Sequence, residues 1–175
     1  FNIVGPDITG EEFAALLSAL DGRDLVVVNT TTVSAPFCEA LYGAGRVIVS
    51  ATRSSAEKFD TVFPQYFIES LQDRAGDRDK NGRVSVWETF QYAQQGVENW
   101  YTEKGRLPTE HPTLEDNSDG QASVQPDPAQ NDGRLAQIAY IDVPVESASS
   151  AVSGADSRLT ARQRELEREI TLLRS

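Results

Sequence analysis

The chain has 175 residues, 39% of them hydrophobic and 25% charged, which is enough for one domain with a sizeable core. Its formal net charge of −11 argues against a nucleic-acid partner, because a phosphate backbone requires a basic surface. No apolar run approaches the ~20 residues that span a bilayer, and the single cysteine, Cys38, excludes an internal disulfide. The sequence has no methionine and opens on FNIVGPD, so we expect it to be part of a longer or processed protein.

The first third of the chain alternates helical and strand patterns. In DITGEEFAALLSALDG, Thr9 and Glu12 have the spacing of a capping box and Gly22 ends the predicted helix. The predicted buried stripe of this helix is Phe13, Leu16, Leu17 and Leu20. Apolar runs at 24–29 and 46–52 predict two strands covered on both faces of a parallel sheet. Between them, Pro36 begins a short helix that ends at Gly43 or Gly45.

The remainder contains longer helices and irregular segments. Helices are predicted at 63–73 and 86–105, the second with a stripe of Phe90, Ala93, Val97, Trp100 and Tyr101. The Pro-, Asn- and Asp-rich region 106–133 predicts a long, partly mobile loop, and 133–145 predicts an edge strand. An α/β domain over 1–145, a flexible linker at 146–157 and an amphipathic helix at 158–175 follow from this order. The helix seam is Leu159, Leu166, Ile170 and Leu173, typical of a docking helix or a short coiled coil.

The stretch DRDKNGRVSVWE has the spacing of an EF-hand calcium loop. Calcium takes six to eight oxygen ligands, and this loop type supplies them at fixed offsets. The predicted Ca²⁺ ligands are Asp77, Asp79, Asn81, the carbonyl of Arg83, Ser85 directly or through water, and Glu88 with both oxygens, and Gly82 permits the sharp bend of the loop. A single loop cannot open and close as paired sensor hands do, so we expect a weak structural site. The alternative is an Asp/Asn/Gly-rich turn that caps the helix beginning near Val86.

A second acidic stretch, LEDNSDGQAS, repeats part of this pattern. Glu115, Asn117, Asp119 and Gly120 fall at similar offsets. Pro126 stands where the bidentate acid belongs, so the stretch predicts an Asx turn, which leaves open that it contributes an oxygen to an ion.

The succession of elements from 24 to 101, with GRVIVSAT, FPQYFIESL and DRDKNGRVSVWETFQYA in that order, resembles the caspase-like fold of bacterial relatives of the legumain-type (clan CD) cysteine peptidases. The resemblance implies a three-layer α/β sandwich with a mainly parallel sheet that lacks its N-terminal strands here. In that family an Asp-Ala-Cys-x-Ser-Gly turn after the first of these strands carries the nucleophile. Here VVVNTTTVSAPF places Asn29 at the aspartate and Thr31 or Thr32 at the cysteine. The family's catalytic histidine belongs to a strand before the region equivalent to FNIVGPD.

The resemblance and this departure together imply a pseudopeptidase that acts in binding or assembly, through a protein partner or self-association of its C-terminal helix. The alternative is an active cysteine or threonine endopeptidase whose histidine lies upstream of residue 1, with Cys38 as a fallback nucleophile. A third alternative, a calcium-dependent docking module, fits poorly with one loop among buried strands. We expect Cys38 to be a small buried residue and His111 a surface histidine.

Two further expectations concern the strand end and the compartment. The threonines at 30–32 follow a strand of a parallel sheet, where α/β folds place ligands, so they predict either a binding cleft or hydroxyls that satisfy a tight turn. A weak calcium site is useful where calcium is abundant, which predicts a periplasmic or secreted protein.

Overall fold

The computed structural model describes residues 7–20 and 22–141. Its helices are α1 (Gly10–Leu17), α2 (Ser34–Glu39), α3 (Phe63–Leu71) and α4 (Val86–Glu103), with 3₁₀ turns at Ser18–Leu20 and Gln72–Arg74. Its strands are β1 (Leu25–Asn29), β2 (Arg46–Ser50) and β3 (Thr113–Glu115). The chain is therefore an α/β protein, as predicted. The predicted linker at 146–157 and helix at 158–175 lie outside the described residues, and no described helix is both long and apolar enough to cross a membrane.

The three described strands form one mixed sheet in the order β1-β2-β3. Strand β1 runs parallel to β2 with Val27 opposite Ile48, and β3 runs antiparallel to β2 with Leu114 opposite Val49. The expectation of a mainly parallel sheet is not met among the described strands, since one pairing is of each kind. Strand β3 lies inside the region predicted to be a long loop. Its three residues are all buried because they complete the central strand β2, and three residues are too few to carry a periodic signal.

The predicted edge strand at 133–145 is wrong for the residues described there. Up to Ile141 this segment consists of turns, with one isolated bridge between Tyr140 and Ser85. The Asp116 carboxylate accepts hydrogen bonds from the backbone N–H groups of Gly133 and Ala136, each at 2.8 Å. Because these two N–H groups already donate to a side chain, they do not form the backbone hydrogen bonds of a strand pairing.

Helices cover both faces of β2. On one face, α3 and α4 pack against Val47 and Val49 with Phe63 and Phe90 at the centre of the main cluster. On the other face, Ile48 packs with Cys38 and Leu41. The α4 stripe is confirmed for Phe90, Ala93, Val97 and Tyr101, which are buried, whereas Trp100 is partly buried. Strand β1 is only half-buried from Leu25 to Val28, contrary to the prediction, because it lies at the edge of the described sheet.

The two N-terminal helices differ from the prediction in detail. The α1 capping box is confirmed, with Thr9 Oγ1 accepting from Glu12 N–H at 3.2 Å. The predicted α1 stripe is wrong at its outer positions, since Leu16 is 64% exposed and Leu20 is 40% exposed. Only the α1 side near Phe13 and Leu17 reaches the cluster around Cys38. Helix α2 begins two residues before Pro36 and ends before the glycines that were expected to stop it.

Candidate functional site

The stretch DRDKNGRVSVWE folds as a tight loop between α3 and α4, called here the first loop (residues 77–88). The Asp77 carboxylate accepts the N–H groups of Asn81 at 3.1 Å and Gly82 at 2.9 Å. The Asn81 side-chain oxygen accepts Arg83 N–H at 2.8 Å. Gly82 has φ +82°, a left-handed conformation that glycine adopts without steric cost. The predicted sharp bend at Gly82 is confirmed.

Three carboxylates converge in the first loop. One oxygen each from Asp77, Asp79 and Glu88 lies within 4.8 Å of the other two, and no other set of three among the described residues does so. Three clustered carboxylates repel one another unless a cation is shared between them. Oxygen donors at this spacing fit a hard divalent cation such as Ca²⁺. The predicted carboxylate ligands are therefore brought together.

Ser85 and Glu88 also cap α4. The alternative prediction for this stretch, a turn that caps the helix beginning near Val86, therefore describes a real feature as well. Ser85 Oγ accepts Glu88 N–H at 3.2 Å, and Glu88 Oε2 accepts Ser85 N–H at 2.9 Å and the Ser85 hydroxyl at 2.8 Å. Glu88 Oε1 accepts Arg78 N–H at 3.0 Å. Glu88 is thus held buried and facing the loop by hydrogen bonds to both of its oxygens.

The first loop pairs with residues 139–140 instead of a second hand. Val84 is fully buried, Ser85 forms an antiparallel bridge with Tyr140, and Val86 N–H donates to Ala139 C=O at 2.8 Å. The guanidinium of Arg83 lies 3.9 Å from the centre of the Tyr140 ring. This segment occupies the side of the loop that contacts a partner loop in paired hands.

The strand-end turn after β1 uses its polar groups internally. Asn29 Oδ1 accepts both the Thr31 N–H at 3.1 Å and the Thr31 hydroxyl at 2.8 Å. Thr61 Oγ1 donates to the Thr30 carbonyl at 2.7 Å, and Thr32 is partly buried. The sequence leaves open a binding cleft at 30–32 or hydroxyls that satisfy backbone groups of a tight turn. The Thr31 hydroxyl is used within the turn, with the Asn29 side-chain oxygen and not a backbone group as its acceptor.

A strained residue follows the turn. Val33 has φ 54° and ψ 30°, a left-handed conformation that is rare for a β-branched side chain. The next residue, Ser34, is buried and its hydroxyl lies 2.8 Å from Ser50 Oγ and 3.0 Å from Thr52 Oγ1. This network of hydroxyls fixes the start of α2 to the end of β2.

Cys38 is confirmed as a small buried residue. Its side chain is completely buried in the cluster with Leu41 and Ile48. Burial raises the pKa of the Cys38 thiol to about 11, although hydrogen bonds with the Ser50 and Asn29 side chains oppose this shift. A buried thiol with a raised pKa is an inert one.

His111 is predicted to be a surface histidine; its side chain is 29% exposed and is paired with the buried carboxylate of Glu57. Its ring Nδ1 lies 2.5 Å from Glu57 Oε1, and its backbone N–H donates to Glu57 Oε2 at 3.1 Å. Glu57 is itself buried, accepts Arg53 N–H and, through its carbonyl, accepts Val33 N–H at 3.1 Å. Within the described residues, no hydrogen bond joins His111 to Thr31, Thr32 or Cys38. The pair spans 54 residues, so no local pattern could indicate it.

Two groups of acidic residues are buried, which the sequence does not indicate. Glu110 is 1% exposed and accepts the N–H groups of Val62 at 2.8 Å and Phe63 at 3.1 Å at the start of α3. Burial raises the pKa of Glu110 in spite of these hydrogen bonds. The other group comprises Glu115, Asp116 and Asp132, all buried. Buried carboxylates normally need a partner, since an isolated buried charge is costly.

The chain matches no protein-family model, no curated protein and no solved structure. Its function is therefore inferred from its own residues.

Proposed function

We propose that this chain is a non-catalytic caspase-like, legumain-related domain that holds Ca²⁺ in a structural loop and acts in binding or assembly. The observation that carries the proposal is that the Thr31 hydroxyl donates to the neutral Asn29 side chain within its own turn, while Cys38 is completely buried. The half-buried valines of β1 and the helices on both faces of β2 support the three-layer sandwich, with further strands beside β1.

Catalysis by this fold would need a reactive nucleophile beside a base. A cysteine peptidase relies on a thiolate that is accessible near neutral pH and on a histidine that takes its proton. Cys38 is buried with a raised pKa. The Thr31 hydroxyl donates to Asn29, a neutral amide oxygen that cannot act as a general base. His111 is hydrogen-bonded to Glu57, and within the described residues no hydrogen bond joins it to Thr31, Thr32 or Cys38. These assignments support loss of activity.

The metal part of the proposal follows from the position of the first loop. It connects α3 to α4, whose aromatic rings meet in the core, with Phe63 and Phe90 centroids 6.4 Å apart. An ion shared by Asp77, Asp79 and Glu88 would link the start of α4 to the segment that leaves α3. Calcium would then act as a brace for the helix pair.

The loss of activity is tested on the full chain with calcium present. Fluorogenic peptides covering Asn, Asp, Arg and Lys at the cleaved position should give no turnover above background. Turnover that disappears in Cys38→Ser, or in Thr31→Ala with Thr32→Ala, would overturn the proposal and favour the active endopeptidase. Unchanged background in all variants supports it.

The assembly role and the compartment need separate tests. We propose that the C-terminal segment self-associates or binds a protein partner through its apolar seam, and that the protein works outside the cytoplasm, where calcium is abundant. Replacing Leu166 and Ile170 by glutamate in the full chain should lower the sedimentation coefficient if self-association occurs. A wild-type chain that sediments as a monomer at every concentration would dismiss self-association and leave only a different partner.

A further inference from the structure

A fully buried carboxylate oxygen without a partner lies at the end of β3. Glu115 is 0% exposed, and its Oε2 has no hydrogen-bond partner. Its other oxygen, Oε1, accepts the N–H of Ser118, so the carboxyl group faces the turn that follows the strand. A buried carboxylate oxygen without a partner is strongly unfavourable unless the group is neutralised. The residue therefore calls for a proton or a cation.

The turn beside Glu115, called here the second loop (residues 115–120), has the backbone conformation of the first half of the first loop. Ser118 and Gly120 have φ of 66° and 81°, against 59° for Lys80 and 82° for Gly82. The hydrogen bonds correspond as well. Asp119 N–H donates to Asn117 Oδ1 and Gln121 N–H to Asp119 Oδ1, each at 2.8 Å. The predicted Asx turn is thus present, in the form that the first loop takes before its bend.

Asp132 supplies the acid that the local sequence lacks. The twelfth position counted from Glu115 is Pro126, which has no side-chain oxygen. Asp132 is 1% exposed, and its Oδ1 accepts Asp116 N–H at 3.2 Å, next to Glu115 in the chain. Burial, together with the charges of Asp132, Asp119 and Asp116, raises the pKa of Glu115 to about 7, although the hydrogen bond from Ser118 N–H opposes this shift. Burial raises the pKa of Asp132 as well, together with the charges of Asp116 and Asp119. The two buried acids therefore lie within electrostatic reach of each other.

We propose that the second loop is a second calcium site, in which Glu115, Asn117 and Asp119 provide oxygens as in the first half of an EF-hand loop and Asp132 replaces the missing twelfth residue. Hard oxygen donors in an irregular, partly acidic loop suit Ca²⁺ better than Mg²⁺, which demands near-ideal octahedral geometry. Among the described residues, only the first loop brings three carboxylate oxygens within 4.8 Å. The second site therefore requires the exposed Asp119 to turn inward, and it binds more weakly than the first.

The test is the number of calcium ions bound per chain, measured by titration calorimetry and equilibrium dialysis of the full, chelator-stripped protein with millimolar magnesium present. Wild type should bind two ions. Glu88→Gln, which keeps a capping residue on α4, should bind one. Asp119→Ala, which removes the side-chain oxygens at this position, should also bind one, and the double variant none. The matched control is Asp127→Ala, at an Asp in a neighbouring turn whose carboxylate accepts Ala129 N–H, and it should bind two.

The two sites fail in different ways. If wild type binds one ion and Asp119→Ala leaves that ion in place, the second site is refuted while the first loop stands. If Glu88→Gln still binds as many ions as wild type, the first loop is refuted. Glu115→Gln gives a second readout. It should bind one ion fewer than wild type. In chelator it should be no less stable than wild type, because an amide then replaces a buried charge. Full ion binding by Glu115→Gln would show that Glu115 only takes up a proton.

Discussion

The reactivity of Cys38 separates an inert scaffold from a peptidase with a displaced nucleophile. The pKa of about 11, against an ordinary value of 9.0, lowers the thiolate population roughly 100-fold near neutral pH. Complete burial adds the free energy of opening the cluster around Leu41 and Ile48 before a reagent can reach sulfur. The native protein should therefore react with a thiol reagent at least ~100-fold more slowly than an exposed cysteine does.

The assay is the rate of alkylation at neutral pH, followed by mass spectrometry of the intact chain. The matched control is Ser55→Cys in a Cys38→Ser background, because Ser55 is exposed. Native and urea-unfolded wild type give the two limits for Cys38 itself. Labelling of native Cys38 within about tenfold of the control would refute the inert-scaffold interpretation, since an enzyme's nucleophile must be accessible as thiolate.

Three further predictions concern stability. Calcium at ~100 times the dissociation constant should stabilise the fold by about 2.7 kcal/mol per site, which raises Tm by roughly 5–10 °C. Glu88→Gln should lose the part of this stabilisation that comes from the first loop. Equal melting curves in calcium and in chelator would contradict the prediction. Glu110→Ala strands two N–H groups at the start of α3 and should cost about 2–4 kcal/mol in urea unfolding, against little for the exposed Glu103→Ala. Because the pKa of Glu110 is raised in the folded state, the contribution of this group to stability is fully present below pH ~4.5 and declines as pH rises through the folded pKa. The cost of Glu110→Ala should therefore be larger at pH ~5 than at pH ~8. A cost that does not change with pH would oppose the assignment. Gly96→Ala places a Cβ 2.4 Å from the Tyr66 ring and should lower the free energy of unfolding by about 1–3 kcal/mol, even though alanine favours a helix more than glycine does. Increased stability would show that the ring moves aside.

Features that depend on residues close in sequence could be predicted. The capping box of Thr9 with Glu12 satisfies backbone groups within one turn, and it lies where the spacing placed it. The alternation of apolar residues in α4 reflects one face of one helix, which is also local information. The bend at Gly82 depends on the backbone of a single residue.

Features that depend on contacts between residues far apart in the sequence could not be predicted. Strand β3 is three residues of Thr-Leu-Glu that become a strand only because β2 offers an unfilled edge. Glu57 and His111, and likewise Asp116 and Gly133, meet through the fold of the intervening chain. The failed α1 stripe has the same origin, because periodicity shows that a helix has an apolar face and does not show how much of that face is covered.

The contacts of the first loop determine what calcium can do there. In a paired sensor, binding reorients two helices and exposes an apolar groove. Here Val84 is fully buried, and Ser85 and Val86 are bonded to residues 139–140. Glu88 is likewise held toward the loop by the capping box and by Arg78 N–H. The glutamate that must move in a sensor, which is Glu88 here, is already held in place. Ion binding would therefore reduce the repulsion among the carboxylates without repacking the helices. Calcium should therefore change the stability of this protein and leave its helix arrangement unchanged.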